Sequence, residues 1–103
     1  MIRVSVLYPN GPDASFNIEY YASTHMKLVS DRVGSALVSA EVDNGLGSAV
    51  PGEPAPFIAA GHLLFNSLEE FQGAFGAHAE EIMADLPNFT NVQPTVQISE
   101  LIE

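Results

Sequence analysis

The sequence predicts an α+β fold in which a four-stranded antiparallel sheet carries two helical segments on one face. Two observations support it: four segments have the apolar patterning of strands, and two longer segments space their apolar residues as helices do. A third observation is the order of these segments: strand, helix, strand, repeated once. This is the βαββαβ arrangement of a ferredoxin-like layer. Residues 1–103 are therefore interpreted as a single domain.

The first strand and the first helix are separated by a turn. Ile2 to Tyr8 alternates with the period of a half-buried strand, and the turn formers from Pro9 to Pro12 end it. A helix is predicted from Asn17, whose side chain can cap the first turn, to about Gly34, whose backbone permits a stop. One side of this helix is expected to present Tyr21, His25, Leu28 and Arg32.

Two strands follow this helix. The second strand is predicted at Leu37 to Asp43, with an apolar face of Val38, Ala40 and Val42. A loop rich in glycine and proline leads to the third strand, at Phe57 to Phe65. Because this strand is apolar on both faces, it is typical of a central strand that is covered on both sides.

The last two elements are a second helix and a fourth strand. Ser67 and Glu70 have the form of a capping box, so the helix begins there. Gly73 and Gly76 weaken its middle and could divide it into two helices. Val92 to Ile102 is interpreted as the last strand, with one polar face. The apolar stripe of the second helix comprises Leu68, Phe71, Phe75, His78 and Ile82.

Composition favours an oligomer and excludes several classes of function. An apolar fraction of 47% with 16% charged residues suggests that another subunit covers part of the surface, and two sheets packed face to face would cover the third strand. A net charge of −10 disfavours nucleic acid and anionic membranes. The sequence has no cysteine, which excludes disulfides and thiol catalysis, and no signal-like or membrane-spanning segment is evident. We expect a cytoplasmic protein.

His25 is the first candidate for a catalytic residue. An imidazole titrates near neutral pH and can act as general acid or base, and Tyr21, one turn earlier, could orient it or hold the same ligand. The alternative is a core histidine hydrogen-bonded to the backbone or to a tyrosine. No carboxylate partner for His25 can be identified in the sequence.

Four further residues are candidate ligand contacts: Tyr8, Phe65, His62 and His78. Aromatic residues are usually core, but a pocket lined by them suits an apolar organic molecule. Structural roles remain open for both histidines, since His62 could face the interior of a dimer and His78 could cap a helix break.

No cofactor is expected. The sequence lacks a phosphate-binding glycine loop, a dinucleotide fingerprint and a nucleophile elbow. No histidine pair has the spacing of a metal-binding helix, and the nearest approach, at His78, Glu80 and Glu81, is more simply a solvated face.

Four segments together resemble the EthD-like family. They are VSVLYPN at residues 4–10, the aromatic stretch from Phe16 to Met26, GHLLF from Gly61 to Phe65, and HAEEIMADLPN from His78 to Asn88. The resemblance covers nearly the whole chain, and it implies a dimeric α+β barrel. The family is named for a small protein associated with bacterial degradation of ethyl tert-butyl ether.

The resemblance implies a small homodimer that binds an apolar organic molecule in a cleft between helices and sheet. Such a protein would be accessory to a degradative oxidation pathway for xenobiotics and to its redox or monooxygenase system. The alternative is a cofactor-independent monooxygenase, isomerase or dehydratase with His25 as general acid or base. A third possibility is a structural module whose acidic surface engages a basic redox partner. Fold alone does not choose among these functions.

Overall fold

One antiparallel sheet organises the fold. The computed structural model describes residues 1–102, and its strands are β1 (Ile2–Pro9), β2 (Leu37–Asn44), β3 (Phe57–Phe65) and β4 (Thr95–Glu100). Their order across the sheet is β2-β3-β1-β4, and all neighbours are antiparallel. The predicted α+β, ferredoxin-like layer is confirmed. Within residues 1–102, no helix has the length and apolar character needed to cross a membrane.

Three helices pack on the sheet. The first, α1, covers residues 18–33, and the Asn17 side chain caps it by accepting from the Tyr20 backbone N–H at 3.1 Å. Gly34, with φ at 67°, follows its end. The second predicted helix is divided into α2 (Leu68–Gly76) and α3 (Ala79–Ala84), so the expected break near the glycines is confirmed.

A π-helical segment changes which side of α1 is buried. The segment is Tyr21–His25, and the Ser23 hydroxyl donates to the Glu19 carbonyl at 2.6 Å beside it. An α-helix has 3.6 residues per turn, so side chains spaced four residues apart move gradually around its surface. The wider turn of the π-helical segment reduces this rotation and keeps such side chains on one side. The predicted side of Tyr21, His25, Leu28 and Arg32 is therefore wrong beyond His25, because Leu28 is half-buried and Arg32 is exposed. The fully buried positions of α1 are Tyr21, His25, Val29 and Val33.

The core lies between the helices and one face of the sheet, in two groups. The group nearer the start of β1 comprises Val4, Val29, Val33, Leu63, Phe65 and Ile82. The group nearer its end is mainly aromatic and comprises Tyr8, Tyr21, Ala59, Leu86 and Phe89. The alternation predicted for β1 is confirmed, since every second side chain of this strand enters these groups. In β3 the same holds from Ala59 to Phe65.

The two edge strands differ from the prediction. In β2 the register shifts between Leu37 and Ser39, so Val38 leaves the apolar face and is 45% exposed. The last strand begins at Thr95 rather than Val92, because Pro94 has no N–H for the ladder and the Val92 N–H bonds the Thr90 hydroxyl at 3.1 Å.

The sheet face opposite the helices, here called the outer face, has no helix over it. On β3 it presents Ala60, His62 and Leu64, whereas Ile58, at the register shift beside Pro9, packs against the aromatic core group. Two of these three side chains, His62 and Leu64, are only half-buried within a single chain. β3 was predicted to be covered on both faces. Within residues 1–102, the helices cover only its inner face.

Candidate functional site

A cavity of about 70 Å³ lies between the helices and the sheet. Its sheet wall is formed by Val4, Val6, Tyr8, Leu63 and Val96. Its helix wall is formed by Tyr21, His25, Met26, Val29, Phe71, Phe75, Ile82, Met83 and Leu86. Every wall residue except His25 and the two tyrosines is purely hydrophobic, and none carries a fixed charge. The cavity is therefore an apolar site with very few polar groups.

His25 is the titratable nitrogen base of this cavity. Its side chain is 5% exposed, and Nδ1 lies 2.9 Å from Oδ2 of Asp85. The ring stacks on Tyr21, with ring centroids 5.4 Å apart and planes at 17°. The centroid of the Phe89 ring lies 4.7 Å from that of His25. Packing on two sides thus holds the ring in one orientation.

Asp85 orients His25 and is itself held by other donors. It directly follows α3, and its Oδ1 accepts from the Tyr20 hydroxyl at 2.8 Å and from Asn88 Nδ2 at 2.9 Å. Burial works against the ionised carboxyl. The hydrogen bonds from Asn88, His25 and Tyr20 outweigh burial, so the pKa of Asp85 lies below its ordinary value. The partner of His25 is therefore a carboxylate at neutral pH.

The sequence prediction missed Asp85, which lies 60 positions from His25. One local signal was available. An acidic residue at the C-terminal end of a helix opposes the helix dipole, so it is expected there only when other donors stabilise it. Asn88, three residues later, is one of those donors.

The tautomer of His25 follows from this partner. Since an ionised carboxylate only accepts hydrogen bonds, Nδ1 must carry the proton that faces Asp85. In the neutral ring Nε2 is then an acceptor, and Asp85 is the only side chain of residues 1–102 that bonds the ring, through Nδ1. Nε2 is not sealed from solvent, since no buried side-chain nitrogen or oxygen of these residues lacks a partner. Because the ring borders the cavity, Nε2 is the atom available to a bound molecule.

Two tyrosines add neutral hydroxyls to the cavity. Burial raises the pKa of Tyr21 to about 12. Burial also raises the pKa of Tyr8, and the neighbouring Tyr21 hydroxyl raises it further. Both phenols therefore stay protonated at physiological pH. The Tyr21 hydroxyl reaches the sheet at Gly61, where the missing side chain makes room for it.

The remaining predicted site residues lie elsewhere. Phe65 is fully buried in the core and is not part of the cavity wall. His62 is on the outer face, where Nδ1 lies 3.0 Å from the Ser5 hydroxyl and Nε2 lies 3.0 Å from Asp43. His78 occupies the break between α2 and α3 and makes no side-chain cap. No three potential metal ligands of residues 1–102 come together.

Comparison with known proteins gives a consistent family. The model of the EthD domain matches residues 11–93. An EthD-like protein from Ralstonia eutropha JMP134 is 37% identical, with a TM-score of 0.93 over 99% of this chain and 92% of that one.

More distant structures share the fold. An ethyl tert-butyl ether degradation (EthD) family protein from Bacillus halodurans C-125 is 20% identical, with a TM-score of 0.68 over 99% of each chain. A dimeric protein of unknown function and ferredoxin-like fold from Bacteroides fragilis is 15% identical, with a TM-score of 0.51 over 97% of this chain and 95% of that one. No protein with a curated function matches the sequence.

Proposed function

The chain belongs to the EthD family, and on this premise we propose that it binds an apolar organic molecule in the cavity between helices and sheet. In this proposal it is an accessory protein of a bacterial degradative oxidation pathway, such as the degradation of ethyl tert-butyl ether. The observation that carries the proposal is an apolar cavity whose one nitrogen acceptor is held in place by Asp85. Such sites bind apolar ligands and fix their orientation with a few polar groups.

The size of the cavity limits the ligand. A buried water needs roughly 10–15 Å³, so about 70 Å³ accommodates a molecule of roughly five to seven heavy atoms. Met26 and Met83 lie in the wall, and their unbranched side chains can adjust to larger molecules. Val96 is 51% exposed and Met83 is 42% exposed, which makes this pair the rim through which a ligand enters.

Val96→Phe should close the cavity to toluene, a molecule of suitable size. The added ring would fill the space beside Val6, its partner in the sheet, so toluene binding should weaken roughly tenfold or more in calorimetric titration. The control is Val38→Phe, which adds the same ring at a position 45% exposed and outside the cavity wall. Equal toluene binding by both variants and by the unmodified protein would contradict the proposed site.

Proton transfer without a cofactor is the second candidate function, and the Asp85–His25 pair favours it. A carboxylate that fixes the tautomer of a histidine leaves Nε2 placed to take a proton from a bound molecule. This arrangement suits a monooxygenase, isomerase or dehydratase step with His25 as general base. His25→Ala separates the two functions. An accessory binding protein should lose pathway activity only as far as its ligand affinity falls and should recover it at saturating ligand, whereas a proton-transfer enzyme should lose its turnover even at saturation.

The proposal includes a homodimer in which two outer faces pack together. The half-buried Leu7, which pairs with Ala60, and Leu64 provide apolar area there, and the B. fragilis protein of similar fold is dimeric. Sedimentation at micromolar concentration should therefore give twice the chain mass of 11.0 kDa. Leu64→Glu should produce a monomer because it places a charge in that interface, whereas Leu68→Glu, on α2, should not. A monomer before substitution would refute the dimer.

A further inference from the structure

The polar groups of the cavity distinguish ligands that donate a hydrogen bond from ligands that only accept one. We propose that the cavity takes small neutral molecules that carry an O–H donor, namely phenols and alcohols, in preference to ethers and to anions. This inference rests on the proposed function and specifies its ligand class. It is argued from the contacts of Asp85, from the tautomer of His25 and from the charge of the cavity wall.

Asp85 sets the direction because its side chain accepts in each of its hydrogen bonds. Tyr20 and Asn88 donate to Oδ1 at 2.8 and 2.9 Å, and His25 Nδ1 lies 2.9 Å from Oδ2. A hydroxyl and an amide NH₂ can both donate to a carboxylate, and an amide nitrogen is only a donor. The Asp85 side chain is 13% exposed, so little water competes for these positions.

Because Asp85 accepts the Nδ1 proton of His25, the other ring nitrogen of His25 can only accept a hydrogen bond from a ligand. With its proton on Nδ1, the neutral ring offers only a lone pair at Nε2. A ligand that donates to Nε2 completes the hydrogen bonding of a side chain that is 5% exposed. An ether oxygen could accept from the Tyr8 or Tyr21 hydroxyl, but it has no proton to donate to Nε2, so Nε2 would stay without a donor. The cavity therefore favours a hydroxyl over an ether of similar size.

Anions are disfavoured for a separate reason. No lysine or arginine of residues 1–102 belongs to the cavity wall, and the whole protein has a net charge of −10. A carboxylate or phosphate ligand would lose its hydration without gaining a counter-charge. A neutral phenol loses much less hydration, and its ring matches the apolar wall.

Three aromatic probes test the preference at neutral pH. Phenol and toluene have the same number of heavy atoms, and anisole, which has one more, is judged by its change in affinity on Asp85→Asn. Phenol can donate a hydrogen bond, anisole can only accept one, and toluene can do neither. A net hydrogen bond corresponds to about a three- to tenfold gain in affinity, so phenol should bind the protein that much more tightly than anisole or toluene. Calorimetric titration gives the three dissociation constants.

Asp85→Asn should reverse the direction with almost no change in shape. The amide oxygen would still accept from Tyr20 and Asn88, so the amide NH₂ would face His25 Nδ1 and shift the ring proton to Nε2. Anisole should then gain about threefold or more in affinity relative to toluene. The matched control is Asp43→Asn, which makes the same change beside His62 on the outer face and should leave all three affinities unchanged.

Nitrogen NMR of His25 supplies a measurement that does not depend on any variant. The unsubstituted protein should show a protonated Nδ1 and an unprotonated Nε2, and phenol should shift the Nε2 signal. A protonated Nε2 in the neutral ring would overturn the inference, even if Asp85→Asn fails to fold. Equal affinity for all three probes would also overturn it while leaving the cavity function intact. If none of the three binds, the proposed function itself fails.

Discussion

Phe65→Ala should destabilise the protein by about 3–5 kcal/mol, the range found when a fully buried phenylalanine is truncated. Phe65 is 0% exposed and ends β3 beneath the helices, where its ring meets Phe71 edge-on at a centroid distance of 5.2 Å. The cavity left by truncation would lie between sheet and helices, and neither layer can close it without moving the other. Urea unfolding followed by circular dichroism measures the change.

Phe57 provides a control at the other end of the same strand. Phe57 is 37% exposed, so Phe57→Ala removes the same group from a position that water already reaches. We expect its effect to be much smaller than that of Phe65→Ala. Since domains of this size are stable by only about 5–15 kcal/mol, the Phe65 variant should also lose part of its folded population at 37 °C. Similar effects of the two substitutions would contradict the burial described for Phe65.

Gly61→Ala should be the most disruptive of the small substitutions, at about 1–3 kcal/mol, because it overfills the contact between β3 and α1. A Cβ at this position would overlap the Tyr21 hydroxyl and lie 3.2 Å from Cζ of the same ring. Tyr21 is 2% exposed and stacks on His25, so it cannot move without disturbing the cavity. Unfolding free energy and toluene affinity should therefore fall together.

Gly73→Ala is the matched control. Gly73 lies inside α2, and a Cβ there would have no atom within 4 Å. Alanine is favoured over glycine inside a helix by roughly 0.5–1 kcal/mol, so this variant should be slightly more stable and should bind toluene normally. If Gly61→Ala were equally harmless, the close approach of Tyr21 to the sheet would be wrong.

Much of the fold could be predicted from local patterns. The alternation in β1 and β3 depends on which residues are apolar, and the Asn17 cap and the break after Gly76 depend on neighbours a few positions away. These effects act within a few residues, so the sequence displays them directly. Errors occurred at Val38 and Val92, where a bulge and a side-chain hydrogen bond decided the outcome, and on α1 after His25, where the π-helical segment shifts the buried side.

The candidate site was only partly predictable. The chemistry of His25 as a base and of Tyr21 as its neighbour was visible at helical spacing, and both lie in the cavity wall. His62 and Phe65 were predicted to contact the same ligand as His25, but neither lies in the cavity wall. Alternation along β3 places His62 on the outer face, and Phe65 is enclosed in the core. Their proposed role as ligand contacts of this cavity has no support in the arrangement.

By itself, the sequence determined the α+β class and the strand and helix order, and it predicted His25 as the candidate acid or base. Those properties follow from short-range periodicity and from the chemistry of single side chains. The tertiary structure alone decided that Asp85 holds His25, that a π turn brings Tyr21 and His25 to one cavity, and that the other histidines lie apart from it. These contacts join residues up to 60 positions apart, and the packing of helices on the sheet selects them.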